Sequence, residues 1–74
     1  MPKTASGEDV VKILSKHFGF VFVSQRGSHV KLHKAASGGT ATTIVPMHGE
    51  LAHGTLRGVL ELAHIEWVEF EKHL

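Results

Sequence analysis

Phe20-Val21-Phe22-Val23-Ser24, Gln25-Arg26-Gly27-Ser28 and His29-Val30-Lys31-Leu32-His33 follow one another without a break, and how they are read decides the fold. The first run is aromatic and β-branched, the middle one is polar with a glycine able to make a tight turn, and the last alternates polar with apolar residues. Together they predict an antiparallel hairpin turning at Gly27. Successive strand side chains point to opposite sides, so Ser28, Val30 and Leu32 are expected on one face and His29, Lys31 and His33 on the other. The apolar set should meet the helices, which leaves His29 and Lys31 on an open face. The first run is apolar in both phases, so its facing stays open. Valine or phenylalanine beside His29 would imply that something covers that face part of the time.

Working outward, Ser6 and Asp9 form a capping pair for a first helix whose buried stripe is Val10, Ile13, Leu14 and His17 or Phe18. Gly19 closes it. On the other side, Lys34 to Ala41 is expected to be a flexible connection with Ser37-Gly38-Gly39 at its tip, and Thr42 to Val45 a short third strand ended by Pro46. After a loop at Met47 to Glu50, Leu56, Val59, Leu60 and Ala63 recur at helical spacing from a start near Gly54-Thr55. Gly58 inside that helix suggests close packing on the sheet. A short last helix from about Glu66 would bury Trp67, Phe70 and Leu74 and leave its glutamates outside. The expected fold class is α+β, α-β-β-β-α plus a short C-terminal helix, with a three-stranded antiparallel sheet carrying its helices on one face.

A chain of 74 residues has surface enough for one core only, so residues 1–74 are taken as a single domain. It has no cysteine, which excludes a disulfide framework and thiolate metal sites and fits a reducing compartment. The longest apolar run is too short to span a bilayer, and Met1-Pro2-Lys3-Thr4-Ala5-Ser6 lacks the apolar core of a secretion signal. A cytoplasmic protein without membrane contact is expected. The formal charge of +1 hides a division. Lys12, Lys16, Arg26, Lys31, Lys34 and Arg57 face only Glu50 across the middle of the chain, whereas Glu61, Glu66, Glu69 and Glu71 face Lys72 at its end. A basic middle suits a polyanion.

Four blocks in order, Gly19-Phe20, Gln25-Arg26-Gly27-Ser28-His29, Val45-Pro46-Met47-His48 and Gly54-Thr55-Leu56-Arg57, resemble the HicA family of bacterial toxins, the small mRNA interferases of type II toxin-antitoxin pairs. The resemblance implies a double-stranded-RNA-binding-domain-like fold and mRNA cleavage by the histidine of the Gly-Ser-His block, here His29. It also implies a HicB-type antitoxin covering that site, with the free toxin monomeric and larger assembly made through the antitoxin. The chain departs from the family's habits in three places. Ser24 stands where a basic residue is frequent, the hairpin at Lys34 to Ala41 is longer than the usual one around Pro-Asp-Gly, and Ala63-His64 replaces an Ala-Gly pair.

RNA carries its own nucleophile, the ribose 2′-hydroxyl, so cleavage needs a base, an acid and cations for the phosphate. Histidine can do the proton work near neutrality, which makes His29 the expected catalyst. Arg26 and Lys31 would hold phosphate, the Gly27 turn would add backbone N–H donors, and the resemblance adds Arg57 to the RNA-binding set. Ser28, pointed inward by alternation, would support the turn or orient His29. His48 is the auxiliary candidate, because an antiparallel third strand ends beside the start of the second.

Neither a metal nor a cofactor is called for. His29 and His33 are four strand residues apart, about 13 Å at ~3.3 Å per residue, too far to share an ion. His17, His33, His53, His64 and His73 are read as surface or cap residues, and Trp67 and Phe70 as core. The competing readings are a non-catalytic RNA-binding module of the same fold and an interaction domain whose hairpin pairs with a partner strand.

Overall fold

Ser6 sits in extended backbone (φ −74, ψ 159) and its hydroxyl accepts the Asp9 N–H at 3.0 Å, starting helix α1 (Gly7–His17). The computed structural model describes residues 3–74, the side chain of Ala36 excepted. Met1 and Pro2, which open the segment read for a secretion signal, lie outside the described residues. Val10, Ile13 and Leu14 of α1 are buried, Phe18 packs on the core edge, and His17 is exposed. Gly19 takes the left-handed conformation expected of it (φ +77).

The order is α1, β1 (Val21–Arg26), β2 (His29–Ala36), β3 (Gly39–Pro46), α2 (His53–Ala63), α3 (Trp67–Glu71). This is the α+β, α-β-β-β-α arrangement read from the sequence. The strands form one antiparallel sheet in the order β1-β2-β3. Val30, Leu32, Thr43 and Val45 turn inward to meet Val10, Leu14, Leu56, Val59, Leu60 and Phe70. Each fully buried large side chain in this cluster stabilises the fold by roughly 1.5–3 kcal/mol. Thr43, fully buried, donates its hydroxyl to the Val59 carbonyl at 2.8 Å and so fixes α2 against the sheet without an orphan polar atom.

The strands run further than the sequence suggests. Lys34 to Ala41 is strand nearly throughout, because Ala36 pairs with Gly39 and the connection shrinks to Ser37-Gly38. Alanine and glycine carry little strand signal of their own, and here the ladder is extended by pairing to a neighbour. The third strand accordingly begins at Gly39 rather than Thr42. Phe20 lies before β1 and is buried in the core, whereas all six residues of β1 are exposed. Two other packing expectations also fail. An added Cβ at Gly58 would meet nothing within 4 Å, so that glycine marks no close approach. In α3 only Phe70 is buried; Trp67 is half-buried and Leu74 is 39% exposed.

The end of α2 answers the question raised by Ala63-His64. His64 takes the left-handed conformation (φ 58, ψ 40), its N–H donates to the Glu61 carbonyl, and the Ile65 N–H reaches back to Leu60 at 3.0 Å. A histidine therefore does the work that glycine does at most such ends, against a steric cost of about 1–2 kcal/mol for an L-residue. His64→Gly is expected to raise stability by about 0.5–1 kcal/mol, since glycine's larger unfolded-state entropy offsets part of the gain. Denaturant midpoints of the two proteins check it.

Candidate functional site

The turn at Gly27 sets the geometry. Arg26 pairs with His29 across a two-residue turn in which Gly27 is left-handed (φ +55), and the Gln25 side-chain amide donates to the Gly27 carbonyl at 2.9 Å. With Arg26 opposite His29, both side chains leave on the same side of the sheet. The β2–β3 register then sets Pro46 on the other side of His29. Three rows cross the open face: Arg26, His29, Pro46; Ser24, Lys31, Ile44; and Val21, His33, Thr42. Arg26, His29 and Lys31 are exposed. His33 is half-buried, its Nδ1 3.0 Å from the Thr42 hydroxyl, and so is held by its neighbour.

The facing of β1, which its composition leaves undecided, is set by an irregularity. The register steps from Phe22 opposite Leu32 to Ser24 opposite Lys31, which makes Val23 an extra, bulged residue. Counted back from the turn, strict alternation would put Phe22 on the face of His29. The bulge changes the phase, so that Phe22 shares the side of Leu32 and Val21 the side of His33. Because the helices pack chiefly on β3, at the opposite edge, Phe22 remains 60% exposed on their side, while Val21 on the open face is 59% exposed.

Ser28 requires a correction. It is exposed and belongs to the turn rather than to β2, so strand alternation does not apply to it. Its carbonyl accepts the Met47 N–H. That bond joins the Gly-Ser-His turn to the Pro46-Met47-His48 segment. The same segment is held from behind, where the Gly7 N–H donates to the His48 carbonyl at 2.9 Å. His48 is exposed and therefore stands at the end of the sheet where His29 begins its strand, as antiparallel pairing requires. Arg57 is placed elsewhere. It is exposed on α2, in the helical layer, beside a groove lined by Leu56, Leu60 and Trp67.

The structure thus gathers Arg26, Gly27, Ser28, His29, Lys31 and His48 around one sheet end and leaves Arg57 apart. Sequence reasoning missed two contributors. Gln25 supports the turn through a local bond that no periodicity announces. Gly7 follows the N-cap and gives no sign that it lies against Pro46. Among the described residues no three histidine, aspartate or glutamate side chains come together as a set that could hold a metal ion, and no helix is long and apolar enough to cross a membrane. A base or acid on His29, a fork of donors on Arg26 and a point charge on Lys31 form a set able to hold a phosphodiester and move a proton beside it.

A family model described as the HicA toxin of bacterial toxin-antitoxin matches residues 7–65. No curated protein matches the chain.

Proposed function

The chain belongs to the HicA family of toxins of bacterial toxin-antitoxin systems, and from that premise we propose that it is an endoribonuclease that cuts mRNA at His29. The observation that carries this reading is the row formed by Arg26 and His29 across the hairpin, with exposed Lys31 on the same face. RNA laid along that face would meet Arg26 and Lys31 with its phosphates. His29 takes the proton from the ribose 2′-hydroxyl, or delivers one to the departing 5′ oxygen, as the 2′ oxygen attacks phosphorus. A 2′,3′-cyclic phosphate and a 5′-hydroxyl result. His48, across the sheet end, serves as the auxiliary proton carrier, and the Gly27-Ser28 turn presents backbone N–H groups to the charge that builds on phosphate.

The partner is a HicB-type antitoxin, and it silences the toxin by covering the same face. Exposed Ile44 in the row next to His29, and exposed Val21 in the row beyond it, give a protein an apolar hold there that RNA does not need. The free toxin acts as a monomer in the cytoplasm, where its substrate is. A substrate with one 2′-deoxyribose at the cut site tests the chemistry. It should resist cleavage at that bond and still bind, and equal cutting of both substrates would eliminate the 2′-hydroxyl route. Binding without any cut products would instead favour a non-catalytic RNA-binding module.

A further inference from the structure

Arg57 lies in the helical layer, and its surroundings suggest what it does there. The groove beside it has a volume of about 480 Å³, within the range of small-ligand sites. Its floor is Leu56 and Leu60, only 1% and 3% exposed. One wall is the half-buried Trp67, whose ring lies tilted on Phe70 with centroids 5.9 Å apart. Arg57 stands on the rim, and Glu61 and Glu66 supply carboxylates. Arg57 and Glu61 are one helical turn apart, about 6 Å of rise, and so line the same groove.

We infer that this groove is a second RNA subsite that takes one unpaired nucleotide of the strand being cut. Arg57 holds its phosphate, Trp67 stacks on its base, and Glu61 and Glu66 accept hydrogen bonds from an exocyclic amino group. The inference rests on the reading of the chain as an RNA-cutting enzyme and extends it to substrate choice. The chemistry of the lining selects the occupant: one cation for one phosphate, an aromatic ring for a base and two acceptors for an amino group suit a single nucleotide, whereas a ligand bearing several phosphates would meet two glutamates against one arginine. The groove is within reach of the site. From His48 to His53, where α2 starts, is five residues, at most about 18 Å of chain, so a strand passing His48 reaches the groove within a few nucleotides. Uracil has no amino group to offer, so a base bearing one should be preferred. Glu66 and Trp67 lie beyond the residues matched by the family model, so that part of the groove belongs to this chain outside the shared span.

Trp67 is the only tryptophan, so its fluorescence reports on the groove directly. The full chain carrying His29→Ala, which leaves substrate intact, is titrated with AMP, CMP, GMP, UMP and a short single-stranded RNA. The expected result is a saturable change in emission, weakest with UMP, and about tenfold weaker binding in Arg57→Gln, as for loss of one charge-assisted hydrogen bond. Glu66→Gln should narrow the difference between bases. Arg57 and Glu66 are exposed, so neither change disturbs the core. No saturable change with any nucleotide or RNA, or binding of undiminished affinity in Arg57→Gln, would overturn the subsite. A response to an antitoxin protein alone would do so as well, by showing the groove to be a protein dock. The parent reading fails by a different result, wild-type chain that cuts no RNA.

Discussion

His29→Ala should keep the fold and lose cleavage by about 10²–10⁴-fold, the range set by removal of a positioned acid or base. The two halves of this expectation have separate physical grounds. The backbone of His29 is held by pairing with Arg26 on one side and Pro46 on the other, and its side chain is exposed. Truncation to alanine therefore removes no buried contact, and stability should stay within about 0.5 kcal/mol of the parent. The chemistry loses the one imidazole that shares a row with Arg26. Initial rates on a defined RNA, with a thermal melt of each protein, separate the two effects. A variant that folds and still cuts at the parental rate would remove His29 from the mechanism and return His48, at the same sheet end, as the main candidate. Growth arrest on expression should follow the rates, present in the parent and relieved in His29→Ala.

How much of this could be read from the sequence depends on where the information lies. The hairpin, its turn at Gly27 and the outward facing of His29 and Lys31 were legible, because Val30 and Leu32 alternate with polar residues in a strand buried on one side. The meeting of His48 with the start of β2 followed from antiparallel pairing alone. The facing of β1 was not legible. Its apolar residues fit either phase, and the phase is set by a bulge at Val23, which is a property of the pairing. Ser28 was misplaced because alternation was carried one residue too far, into the turn. The long β2–β3 ribbon was missed because Ala35, Gly39 and Ala41 favour strand weakly and become strand through their partners. His64 in the left-handed region is a different case: the departure from Ala-Gly was visible, and the structure shows that the helix end keeps its geometry and strains a histidine instead.

Gly7→Ala should be the most damaging small change in the chain. In most helices an alanine gains up to about 1 kcal/mol over glycine. Here an added Cβ would stand 2.0 Å from the Pro46 carbonyl oxygen, 2.8 Å from the Met47 Cα and 2.9 Å from the Pro46 carbonyl carbon. All three atoms are backbone, so no side chain can rotate away, and either α1 or the Pro46-Met47-His48 segment must move. Such overpacking costs typically 1–3 kcal/mol and occasionally more. Displacement also breaks the bond from the Gly7 N–H to the His48 carbonyl, about 1 kcal/mol more. A net loss of about 3 kcal/mol would lower the melting temperature by roughly 12–24 °C in a domain of this size. Gly58→Ala is the matched control. Its Cβ would meet nothing within 4 Å inside α2, so helix propensity acts unopposed and the protein should gain up to about 1 kcal/mol. The contrast bears on function as well as stability, because the segment that Gly7 holds also pairs with His29 and carries His48. At a temperature where Gly7→Ala is still folded, its cleavage rate should fall below that of Gly58→Ala. If the two alanine variants melted alike, the close contact between α1 and the Pro46 carbonyl would be refuted, and with it the account of what holds His48 at the site.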